Sequence, residues 1–538
     1  MRAEVVIVGA GLAGIAAAVE LLDQGVPVCL VDAGTEDRAG GLARWSFGGL
    51  FYVDSPLQRR RGIRDSEQQA LEDWLSYASF GEDDHWPRRW AEQYVARCTP
   101  EVYEWLKPRG IRYIPFIQWL ERGMTVHGNR VPRFHMVWGT GHRLVQALLD
   151  TLADHPNRRG LRLHFRHRVT ELLRHGGRMA GVRGIDEATG QPFEIASGQV
   201  VLAAGGIVGD PDVMRAHWYQ PWGAPPPHLL TGSYPHANGS VHQLAAGLGA
   251  TLTHLDKHWS YPAGVHHPTP HHAHHGLSLV PPKSAIWVDA RGRRIGPHPM
   301  ISGFDTRLLV EQIVRQPGQY SWQIMNARIA RKELFVSGAQ FNEANRDQRL
   351  LPFVGSLLFG NRTLIEALRN HGQDWVEANT IEDLAARMNR LTGTADVDAA
   401  ALRAALEAYD QAVRRGPGQY GDPQLALLET LRSYRGDRMR TCNFQPILDT
   451  QAGPLIAIRE HILARKSLGG VQTDLGCQVL DAAGQPIAGL YAVGEIAGFG
   501  GGGIHGLRAL EGTFLGNCIF NGRIAAQTIL GRHSQPHS

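Results

Sequence analysis

Three glycines near the N-terminus have the spacing of a dinucleotide-binding turn. Gly9, Gly11 and Gly14 form a G-x-G-x-x-G run, in which the first glycine makes a tight turn, the second admits a pyrophosphate and the third lets a helix pack on a strand. Asp32 stands 18 residues beyond Gly14, where a carboxylate can bind both hydroxyls of an adenosine ribose. The spacing therefore predicts that this part of the chain binds a dinucleotide.

The pattern also predicts the elements that position these residues. Residues 5–8 form a continuous β-branched run, which is typical of a buried parallel strand, and residues 16–22 favour a helix. A second apolar run, VCLVD, brings Asp32 to the end of the next strand. Because strand, turn, helix and acidic strand end occur in order, the alternative of a glycine turn without a ligand is disfavoured.

Two further segments of small residues lie in the first half of the chain. The run GGLARWSFGG, residues 40–49, follows the second predicted strand, and a predicted strand over residues 199–203 leads into Ala204, Gly205 and Gly206. Small residues let a backbone come close to a ligand. Both segments suit a dinucleotide that is longer than the first glycine turn can cover.

The densest glycine run lies near the C-terminus, in GEIAGFGGGGIHG from Gly494 to Gly506. We expect it to continue directly into a helix. A glycine loop that opens a helix aims backbone N–H groups and the positive end of the helix dipole at whatever lies in front of it. The run is therefore predicted to stabilise negative charge on a bound group. It does not predict a second dinucleotide site, because no strand with an acidic end follows it.

Length and composition restrict the class of protein. The chain has 538 residues, enough for two or three domains, with 43% hydrophobic residues, 20% charged residues and a net charge of +4. This balance does not indicate nucleic-acid binding. Five cysteines without a C-x-x-C pair indicate neither a disulfide framework, an iron–sulfur cluster nor a cysteine zinc site, which favours a reducing, cytoplasmic location. Glu4 and the glycines interrupt the apolar N-terminus, so we interpret it as mature structure, and no window predicts a membrane span.

Seven motifs follow one another along the chain. They are VIVGAGLAG, GGLARWSFGG, VVLAAGG, WVDARGRRIG, LGGVQTD, GLYAVGEIAG and GGGGIHG. By these motifs, which cover most of the chain, the sequence resembles the flavoproteins of the succinate dehydrogenase and fumarate reductase type, in particular the 3-ketosteroid dehydrogenase-like branch. Residues 51–130 and 335–375 match none of the motifs. The resemblance implies an FAD-dependent oxidoreductase.

The resemblance implies an α/β fold with a Rossmann-like FAD-binding domain made of two separate segments. We expect residues 1–255 and 467–538 to form that domain, and residues 256–466 to form an inserted α+β domain that covers the substrate, with the active site in the cleft between them. In the inserted domain, SAIWVDARGRRIG predicts a hairpin and TRLLVEQIVRQ a helix. TIEDLAARMNRL and DAAALRAALEAYDQAVRR predict amphipathic helices, the second capped by Asp398.

The resemblance also implies where FAD binds. Glu495 is expected to bind the ribityl chain, residues 500–503 to lie beside the isoalloxazine, and the backbone near Gly512, Thr513 and Leu515 to reach the pyrimidine edge. FAD is expected to be noncovalent, because Leu42 stands where membrane-bound relatives carry the attaching histidine. The full set of predicted FAD contacts is Gly9, Gly11, Ala13, Gly14, Asp32, Ala33, Gly40, Gly41, Ser46, Gly48, Gly49, Val169, Ala203, Ala204, Gly205, Gly494, Glu495, Gly512, Thr513 and Leu515.

The same resemblance gives a first catalytic candidate. Members of the family move a hydride between a substrate carbon and flavin N5, while a protein group handles the proton on the neighbouring carbon. The segment SGFDTRLLVE aligns with the one that carries an arginine proton donor and gives Arg307 that role. A guanidinium hardly ever gives up its proton, so the role needs a relay or a carboxylate neighbour. A surface or phosphate-pairing arginine is the alternative.

The sequence departs from the dicarboxylate enzymes of the family where they bind substrate. Arg508 stands one position earlier than the arginine that clamps a carboxylate, and Lys466 replaces a histidine. These departures disfavour fumarate and succinate and favour a CH–CH bond next to a carbonyl, in a steroid-like or other cyclic ketone. Phe499 stands near the place of a tyrosine that assists steroid 1,2-dehydrogenation, and it cannot exchange protons. This difference weakens the prediction of that particular reaction.

Further residues are candidates for contact with the substrate or the flavin. His505 lies beside the glycine run and can hydrogen-bond either partner, or can simply begin a helix. His258 and Tyr261 lie at the start of the predicted inserted domain. The histidine-rich loop 266–275 has the composition of a metal site, but no carboxylate or cysteine is interleaved and two prolines keep it extended. We therefore predict no metal and a solvated loop.

Two alternative functions stay open. One is a flavin oxidase or dehydrogenase that acts on a C–N or C–OH bond, and the other is a catalytically silent flavin- or metal-binding protein. In the leading hypothesis the partners are a small-molecule substrate and a diffusible electron acceptor or donor, with no nucleic acid and no membrane. The sequence predicts neither the identity of the substrate, the direction of the reaction nor the oligomeric state.

Overall fold

A computed structural model describes residues 1–438 and 443–531. The chain divides into two compact units. The domain boundaries predicted from the sequence stay a prediction. The first unit contains Met1–Tyr219, Ser233–Trp259 and the chain from Lys466 onward, and the second contains Gln220–Gly232 and Ser260–Arg465.

The regular elements of the described residues are numbered in chain order. The strands are β1 (Val5–Val8), β2 (Val28–Val31), β3 (Gly49–Phe51), β4 (Tyr113–Gln118), β5 (Phe134–Val137), β6 (Leu161–His164), β7 (His167–His175), β8 (Arg178–Asp186), β9 (Pro192–Ala196), β10 (Val200–Leu202), β11 (Leu229–Thr231), β12 (Leu252–Thr253), β13 (His258–His266), β14 (Gly276–Val280), β15 (Ile286–Val288), β16 (Ser321–Asn326), β17 (Phe335–Val336), β18 (Trp375–Ala378), β19 (Leu455–Ser467), β20 (Gly470–Val471), β21 (Gln478–Leu480) and β22 (Pro486–Ala492). The helices are α1 (Leu12–Asp23), α2 (Leu42–Trp45), α3 (Pro56–Arg60), α4 (Glu67–Ala78), α5 (His85–Cys98), α6 (Glu104–Leu106), α7 (Thr140–Ala153), α8 (Pro211–Ala216), α9 (Ser240–Gly247), α10 (Thr306–Val314), α11 (Ala327–Glu333), α12 (Glu343–Arg346), α13 (Leu350–Phe359), α14 (Arg362–His371), α15 (Ile381–Thr392), α16 (Ala399–Arg415), α17 (Pro423–Ser433), α18 (Arg435–Arg438) and α19 (Thr513–Ile529).

The first unit is built on a six-stranded sheet with the order β21-β22-β10-β1-β2-β6. The strands from β22 to β6 run parallel, and β21 joins the edge antiparallel. All residues of β1 and β2 are buried, as expected for the centre of a parallel sheet covered on both faces. The predicted strand at residues 5–8 and the predicted Rossmann-like α/β fold are confirmed.

The C-terminal segment of the chain takes part in this unit. β22 pairs with β10, and α19 packs against α1 so closely that a Cβ added at Gly522 would lie 2.4 Å from Ala13 O. The core on one face joins Val6 and Val8 of β1 to apolar residues of the three-stranded sheet β7-β8-β9, such as Leu172 and Val182. A second three-stranded sheet, β3-β5-β4, and the pair β12-β20 complete the unit.

The second unit contains an eight-stranded sheet with the order β15-β16-β19-β13-β14-β17, and β11 and β18 also pair with β19. The predicted helices are present as α10, α15 and α16, and the Asp398 side chain caps α16 by accepting from Ala400 N at 2.9 Å. The hairpin predicted over residues 284–296 is present in a short form: Val288 bridges Arg294, Asp289 N donates to Arg293 O at 2.8 Å, and Ile295 N donates to Trp287 O at 3.0 Å. β15 also pairs along its length with β16. In the residues that the structure describes, no helix combines the length and apolarity needed to cross a bilayer.

Candidate functional site

The N-terminal glycine turn is tight where the protein packs on itself and open at one position. A Cβ added at Gly9 would lie 2.3 Å from Ala203 O, and one added at Gly14 would lie 2.1 Å from Gly9 O. At Gly11 the nearest atom would be Ala203 O at 3.7 Å, an ordinary van der Waals distance. Gly11 is also the N-cap of α1 and supplies no capping side chain, so the N–H groups of the first helical turn stay available to an anion. This geometry fits a pyrophosphate in front of Gly11.

Asp32, directly after β2, is fixed beside that turn. Its two carboxylate oxygens accept from the backbone N–H groups of Ala10 and Gly34, each at 2.6 Å. Because these donors orient the carboxylate, its remaining lone pairs point in defined directions. Residues that follow Asp32 in the chain line an open cleft of about 640 Å³. The lining residues are Thr35, Glu36, Asp37, Phe165 and Arg166. A ribose at Asp32 and a ring system in this cleft fit an adenosine.

The second glycine run, residues 40–49, is mostly explained by packing within the protein. A Cβ added at Gly40, Gly48 or Gly49 would lie within 2.6 Å of other protein atoms. Gly41 differs, because the nearest atom to its added Cβ would be Gly11 Cα at 3.7 Å. Of these four glycines, Gly41 is therefore the one that leaves room for a bound group next to Gly11.

The C-terminal glycine run is tied to the protein itself. The N–H groups of residues 500–503 all donate within the chain, to Ala497 O, Gly500 O and the Thr473 hydroxyl. A Cβ added at Gly500 would lie 2.8 Å from the indole of Trp90. The prediction of free N–H groups along this run is wrong. One flat group that this backbone approaches closely is therefore a tryptophan of the same unit, and the predicted contact of residues 500–503 with the isoalloxazine stays a prediction.

The helix that was predicted to follow the glycine run begins further along the chain. The chain forms turns after the run, and α19 begins only at Thr513, so the prediction that the helix follows directly is also wrong. Gly512 is the N-cap, with a left-handed φ of 95° and no side-chain cap. The positive end of this 17-residue helix is therefore carried by the backbone of residues 513–515, which belong to the predicted contacts with the pyrimidine edge.

The segment around Glu495 is held at both ends. Glu495 Oε1 accepts from Ser467 N at 2.8 Å and from the Ser467 hydroxyl at 3.2 Å. Asn521 of α19 accepts from Gly494 N and donates to Phe499 O, both at 3.0 Å. The predicted ribityl-binding residue is thus fixed by its neighbours in the same unit, and Asn521 is a positioning residue that the sequence analysis missed.

His505 is a positioning residue. Its Nε2 lies 2.8 Å from the Thr513 hydroxyl, which itself donates to Leu510 O at 2.5 Å; Nε2 must therefore carry the ring proton and donate it. The ring is fully buried and stacks on Trp74 with 5.9 Å between centroids. Burial lowers the pKa of His505 well below its usual value, and Lys466 adds to the shift. Direct contact with a substrate is not supported, because the neutral ring has no exposed surface and instead holds the start of α19.

We expect the protein to lose stability as the pH falls below about 6.5, the pKa of a histidine in an unfolded chain. Burial lowers the pKa of His135 and of His242 to about 4, and it also lowers the pKa of His505 well below its usual value. The unfolded state therefore binds more protons than the folded state below pH 6.5, and the free energy of unfolding falls by at most about 1.4 kcal/mol per pH unit for each histidine. Urea unfolding at neutral and mildly acidic pH measures this slope.

The matched variants for that measurement are His242→Leu and His175→Gln. His242 is buried in α9, so its replacement by leucine should remove one histidine's share of the acid destabilisation. His175 is exposed, and His175→Gln is the matched control for the replacement of a histidine outside the core. An unchanged slope in His242→Leu would contradict the assignment of a neutral buried ring.

Arg307, the first catalytic candidate, lies in the first turn of α10 in the second unit. The helix is capped by Asp305, whose side chain accepts from Leu308 N at 2.9 Å. Arg307 is only 5% exposed, and its guanidinium carbon lies 4.3 Å from the centre of the Trp222 ring. The alternative of a surface arginine is wrong, because the side chain is buried against an aromatic face.

The other catalytic candidates are divided between the two units. Tyr261 is a half-buried residue of β13 in the second unit. In the first unit, His258 is buried with its ring centre 4.8 Å from that of Trp218, and Arg508 Nη1 donates to the Ser79 hydroxyl at 3.2 Å. The roles of all three stay predictions.

Two polar contacts in the first unit involve residues that were not predicted as site residues. Lys466 Nζ lies 3.8 Å from the centre of the Phe514 ring, and Trp259 Nε1 donates to Glu511 Oε1 at 2.8 Å. Phe514 and Glu511 flank the start of α19, next to the predicted pyrimidine-edge contacts. The one sequence signal was the substitution of lysine for histidine at Lys466. The Trp259–Glu511 pair had none, because its members are 252 positions apart.

The histidine-rich loop is partly packed. His267 is buried, and its Nε2 lies 2.9 Å from Gln340 Oε1. Its ring stacks on that of His275 with 4.3 Å between the ring centres. Burial lowers the pKa of His275 to about 3, so this ring is neutral. His271 and His274 are exposed. The prediction of a solvated loop is therefore wrong for His267 and His275.

Two histidines of the second unit flank a buried carboxylate. His266 Nδ1 lies 2.8 Å from Asp374 Oδ2, His461 Nε2 lies 3.5 Å from Oδ1, and the ligand atoms of the three residues all lie within 4.8 Å of one another. Arg459 Nε also donates to Asp374 Oδ1, at 3.1 Å. Burial opposes ionisation, but the hydrogen bond with His266 and the nearby His461 hold the pKa of Asp374 well below its usual value. A guanidinium in this position competes with a metal cation, so we interpret the cluster as an ion-pair network.

Comparison with known proteins identifies the family. The family described as FAD binding domain matches residues 4–515, and the chain belongs to it. The chain is 42% identical to a KsdD-like steroid dehydrogenase of Mycobacterium tuberculosis over 546 residues, which cover 98% of this chain and 95% of the relative. It is 41% identical to a KsdD-like steroid dehydrogenase of Mycolicibacterium smegmatis over 531 residues, covering 95% and 96%. The predicted family is confirmed.

Solved structures agree with the fold. The 3-ketosteroid Δ1-dehydrogenase of Sterolibacterium denitrificans matches with a TM-score of 0.72 at 18% identity, over 99% of this chain and 100% of that chain. A flavocytochrome c3 fumarate reductase in its open conformation matches with a TM-score of 0.69 at 21% identity, over 99% of this chain and 78% of that chain. At these identities the likeness establishes the fold alone.

Proposed function

We propose that the protein is an FAD-dependent dehydrogenase or reductase that acts on a CH–CH bond next to a carbonyl, in a steroid-like or other cyclic ketone. The observation that carries this proposal is the 42% identity to a KsdD-like steroid dehydrogenase along 98% of the chain. The substitutions at Lys466 and Ala509, where dicarboxylate enzymes of the family carry a substrate-binding histidine and arginine, support a less acidic substrate. They also disfavour the alternative of a flavin oxidase or dehydrogenase that acts on the C–N bond of an amino acid, because such an enzyme needs a clamp for the substrate carboxylate.

The residues of the first unit fit FAD. The pyrophosphate would lie in the space at Gly11 and Gly41, Asp32, which Ala10 N and Gly34 N orient, would bind the ribose, and Glu495, which Ser467 holds, would bind the ribityl chain. The uncapped start of α19 offers N–H groups and a positive helix end to the pyrimidine edge, where they stabilise negative charge. When bound, FAD supplies the N5 atom that accepts or donates the hydride. The apolar Leu42 at the start of α2 offers no atom for a covalent link, so FAD is held noncovalently.

Arg307 is the group that we propose to handle the proton on the carbon next to the hydride, in combination with the relay or carboxylate that a guanidinium needs to exchange its proton. Its burial against Trp222 fixes the guanidinium plane and excludes water from one face. Tyr261 and His258 are further candidates for orienting the carbonyl, since each can donate a hydrogen bond. Electrons leave through a diffusible acceptor. A cytoplasmic location stays a prediction.

Anaerobic mixing of the FAD-loaded protein with a panel of substrates tests the proposal. We expect saturated ketosteroids or cyclic ketones to bleach the oxidised flavin band, or their unsaturated counterparts to restore it in the reduced protein, while succinate and fumarate do neither. Acid precipitation should release the flavin into the supernatant if it is noncovalent. Bleaching by amino acids or alcohols with release of peroxide under air would favour the C–N or C–OH alternative. A flavin that no ketone, acid or amine reduces or reoxidises would favour the catalytically silent alternative.

A further inference from the structure

One helix of the second unit exposes an apolar surface. No residue of α13, Leu350–Phe359, is buried, although its sequence LLPFVGSLLF is almost entirely apolar. Among the described residues, Met1 is the one other large apolar side chain with comparable exposure. Contiguous apolar surface of this kind marks an interaction site. The exposed side chains are Leu350 (64%), Leu351 (83%), Val354 (41%), Leu358 (56%) and Phe359 (63%).

The dimensions of α13 restrict what can cover it. At about 100° per residue, the five exposed side chains fall within about half of the helix circumference. Ten residues make a helix about 15 Å long, which is too short to cross a bilayer but suits a helix that lies in its surface. The helix is tied to the rest of the unit through its backbone, where Lys332 Nζ donates to Leu357 O at 3.2 Å.

Cations stand at both ends of this helix. Arg349 precedes α13 directly and is exposed, while Arg362, also exposed, begins α14 just after it. The carbonyl of Arg331 on α11 packs against Gly360, at the C-terminal end of α13. Residues 327–371 contain seven Lys or Arg against four Asp or Glu, a surplus of three positive charges. The apolar surface is therefore bordered by positive charge.

A cavity of about 300 Å³ lies among these cations. Arg331, Arg362 and Arg369 line it, together with Glu366. Arg369 is paired with Glu377 at 2.8 Å, whereas Arg331 and Arg362 form no ion pair within the described part of the chain. An arginine fork matches the oxygens of a phosphate. The cavity therefore has the charge and donors to bind a phosphate group next to the apolar helix.

We propose that α13 and the flanking arginines form a docking surface for an anionic phospholipid bilayer. The exposed side chains of α13 enter the boundary between headgroups and acyl chains, and Arg331 and Arg362 bind headgroup phosphates. A second copy of this chain is the other possible occupant, but a two-fold contact through α13 would bring the same arginines close together. The inference is independent of the proposed function and departs from the sequence-based expectation of no membrane partner.

Flotation of the full-length, FAD-loaded protein with lipid vesicles tests this surface. We expect binding to vesicles of phosphatidylcholine with phosphatidylglycerol, weaker binding to phosphatidylcholine alone, and weakening with added salt. Leu351→Ser and Phe359→Ser should each lower the partition coefficient about tenfold or more, the change expected when one large apolar side chain no longer inserts. Both substitutions change exposed side chains and should leave the melting temperature of the protein unchanged. The same is expected of a third variant, Arg362→Glu.

The matched control is Arg291→Glu, an exposed arginine of the same unit whose carbonyl accepts from Asp398 N at the start of α16. Arg362→Glu should weaken binding to anionic vesicles, and Arg291→Glu should leave it as in the parent protein. Three results would overturn the proposal. They are failure to float with either vesicle type, equal effects of the two arginine variants, and conversion of a dimer to a monomer by Leu351→Ser, which would assign the surface to a second copy of the chain.

Discussion

Replacement of Gly11 by valine should abolish FAD binding and leave the apo fold intact. An added Cβ at this position meets no protein atom closer than 3.7 Å, and the backbone already has an extended conformation that any residue adopts, with φ of −73°. The branched side chain instead fills the space proposed for the pyrophosphate. We expect the affinity for FAD to fall at least about hundredfold, about 3 kcal/mol. The flavin absorbance per mole of purified protein and a titration of the apo-protein with FAD measure the effect.

Two other glycine variants complete that experiment. Gly14→Val should fail to fold, because its Cβ would lie 2.1 Å from Gly9 O. Gly247→Ala, at the end of α9, meets nothing within 4 Å and should keep both the fold and the flavin. A yellow Gly11→Val protein with the parent's flavin content would show that the pyrophosphate lies elsewhere.

The first glycine turn could be predicted from the sequence because its geometry is local. The strand at residues 5–8, the helix that follows and Asp32 all lie within one strand–helix–strand unit, where spacing in the chain fixes spacing in the fold. The structure confirms the strand and helix and shows the carboxylate held beside the turn. The sequence does not reveal that Gly11 faces open space while Gly9 and Gly14 face protein atoms. The atom that fills the space at Gly9 is Ala203 O, which lies far along the chain.

The C-terminal glycine run shows why the rest could not be predicted. Its density indicates that the backbone approaches something flat, and one such group is Trp90 on α5. Trp90 lies in residues 51–130, which match none of the family's motifs, and about 400 positions separate it from Gly500. A pattern in one sequence does not reveal a partner at that distance, so the contact with Trp90 could not be predicted, while the contact of the run with the flavin stays a prediction.

The prediction of a solvated histidine-rich loop was wrong for His267 and His275 for the same reason. Proline and histidine composition predicted solvent, since no carboxylate is near in the chain. The carboxylate that pairs with His266 is Asp374, 108 positions away, and the partner of His267 is Gln340. Buried polar groups need partners, but which residue supplies them is a property of the sheet that joins β13, β18 and β19.

Arg307→Ala should lower the rate of flavin reduction by ketone substrates at least about hundredfold, the usual contribution of a positioned proton-transfer group. The rate is to be measured per flavin-loaded molecule, because the loss of a side chain packed on Trp222 also reduces stability. Added guanidine should restore part of the rate in Arg307→Ala, since it can occupy the vacated site. Arg307→Lys keeps the charge but not the planar fork, and should recover only a fraction.

Arg315 is the matched control on the same helix. It caps the C-terminal end of α10, its side chain is exposed, and it pairs with Glu311 one turn before. Arg315→Ala should change neither the rate nor, beyond about 0.5 kcal/mol, the stability. If ketone substrates reduce the flavin of the Arg307→Ala variant as fast as that of the Arg315→Ala variant, the proton must pass through another group. Tyr261 and His258 are then the residues to replace, because a slower rate in one of them with Arg307 intact would transfer the role and leave the proposed reaction standing.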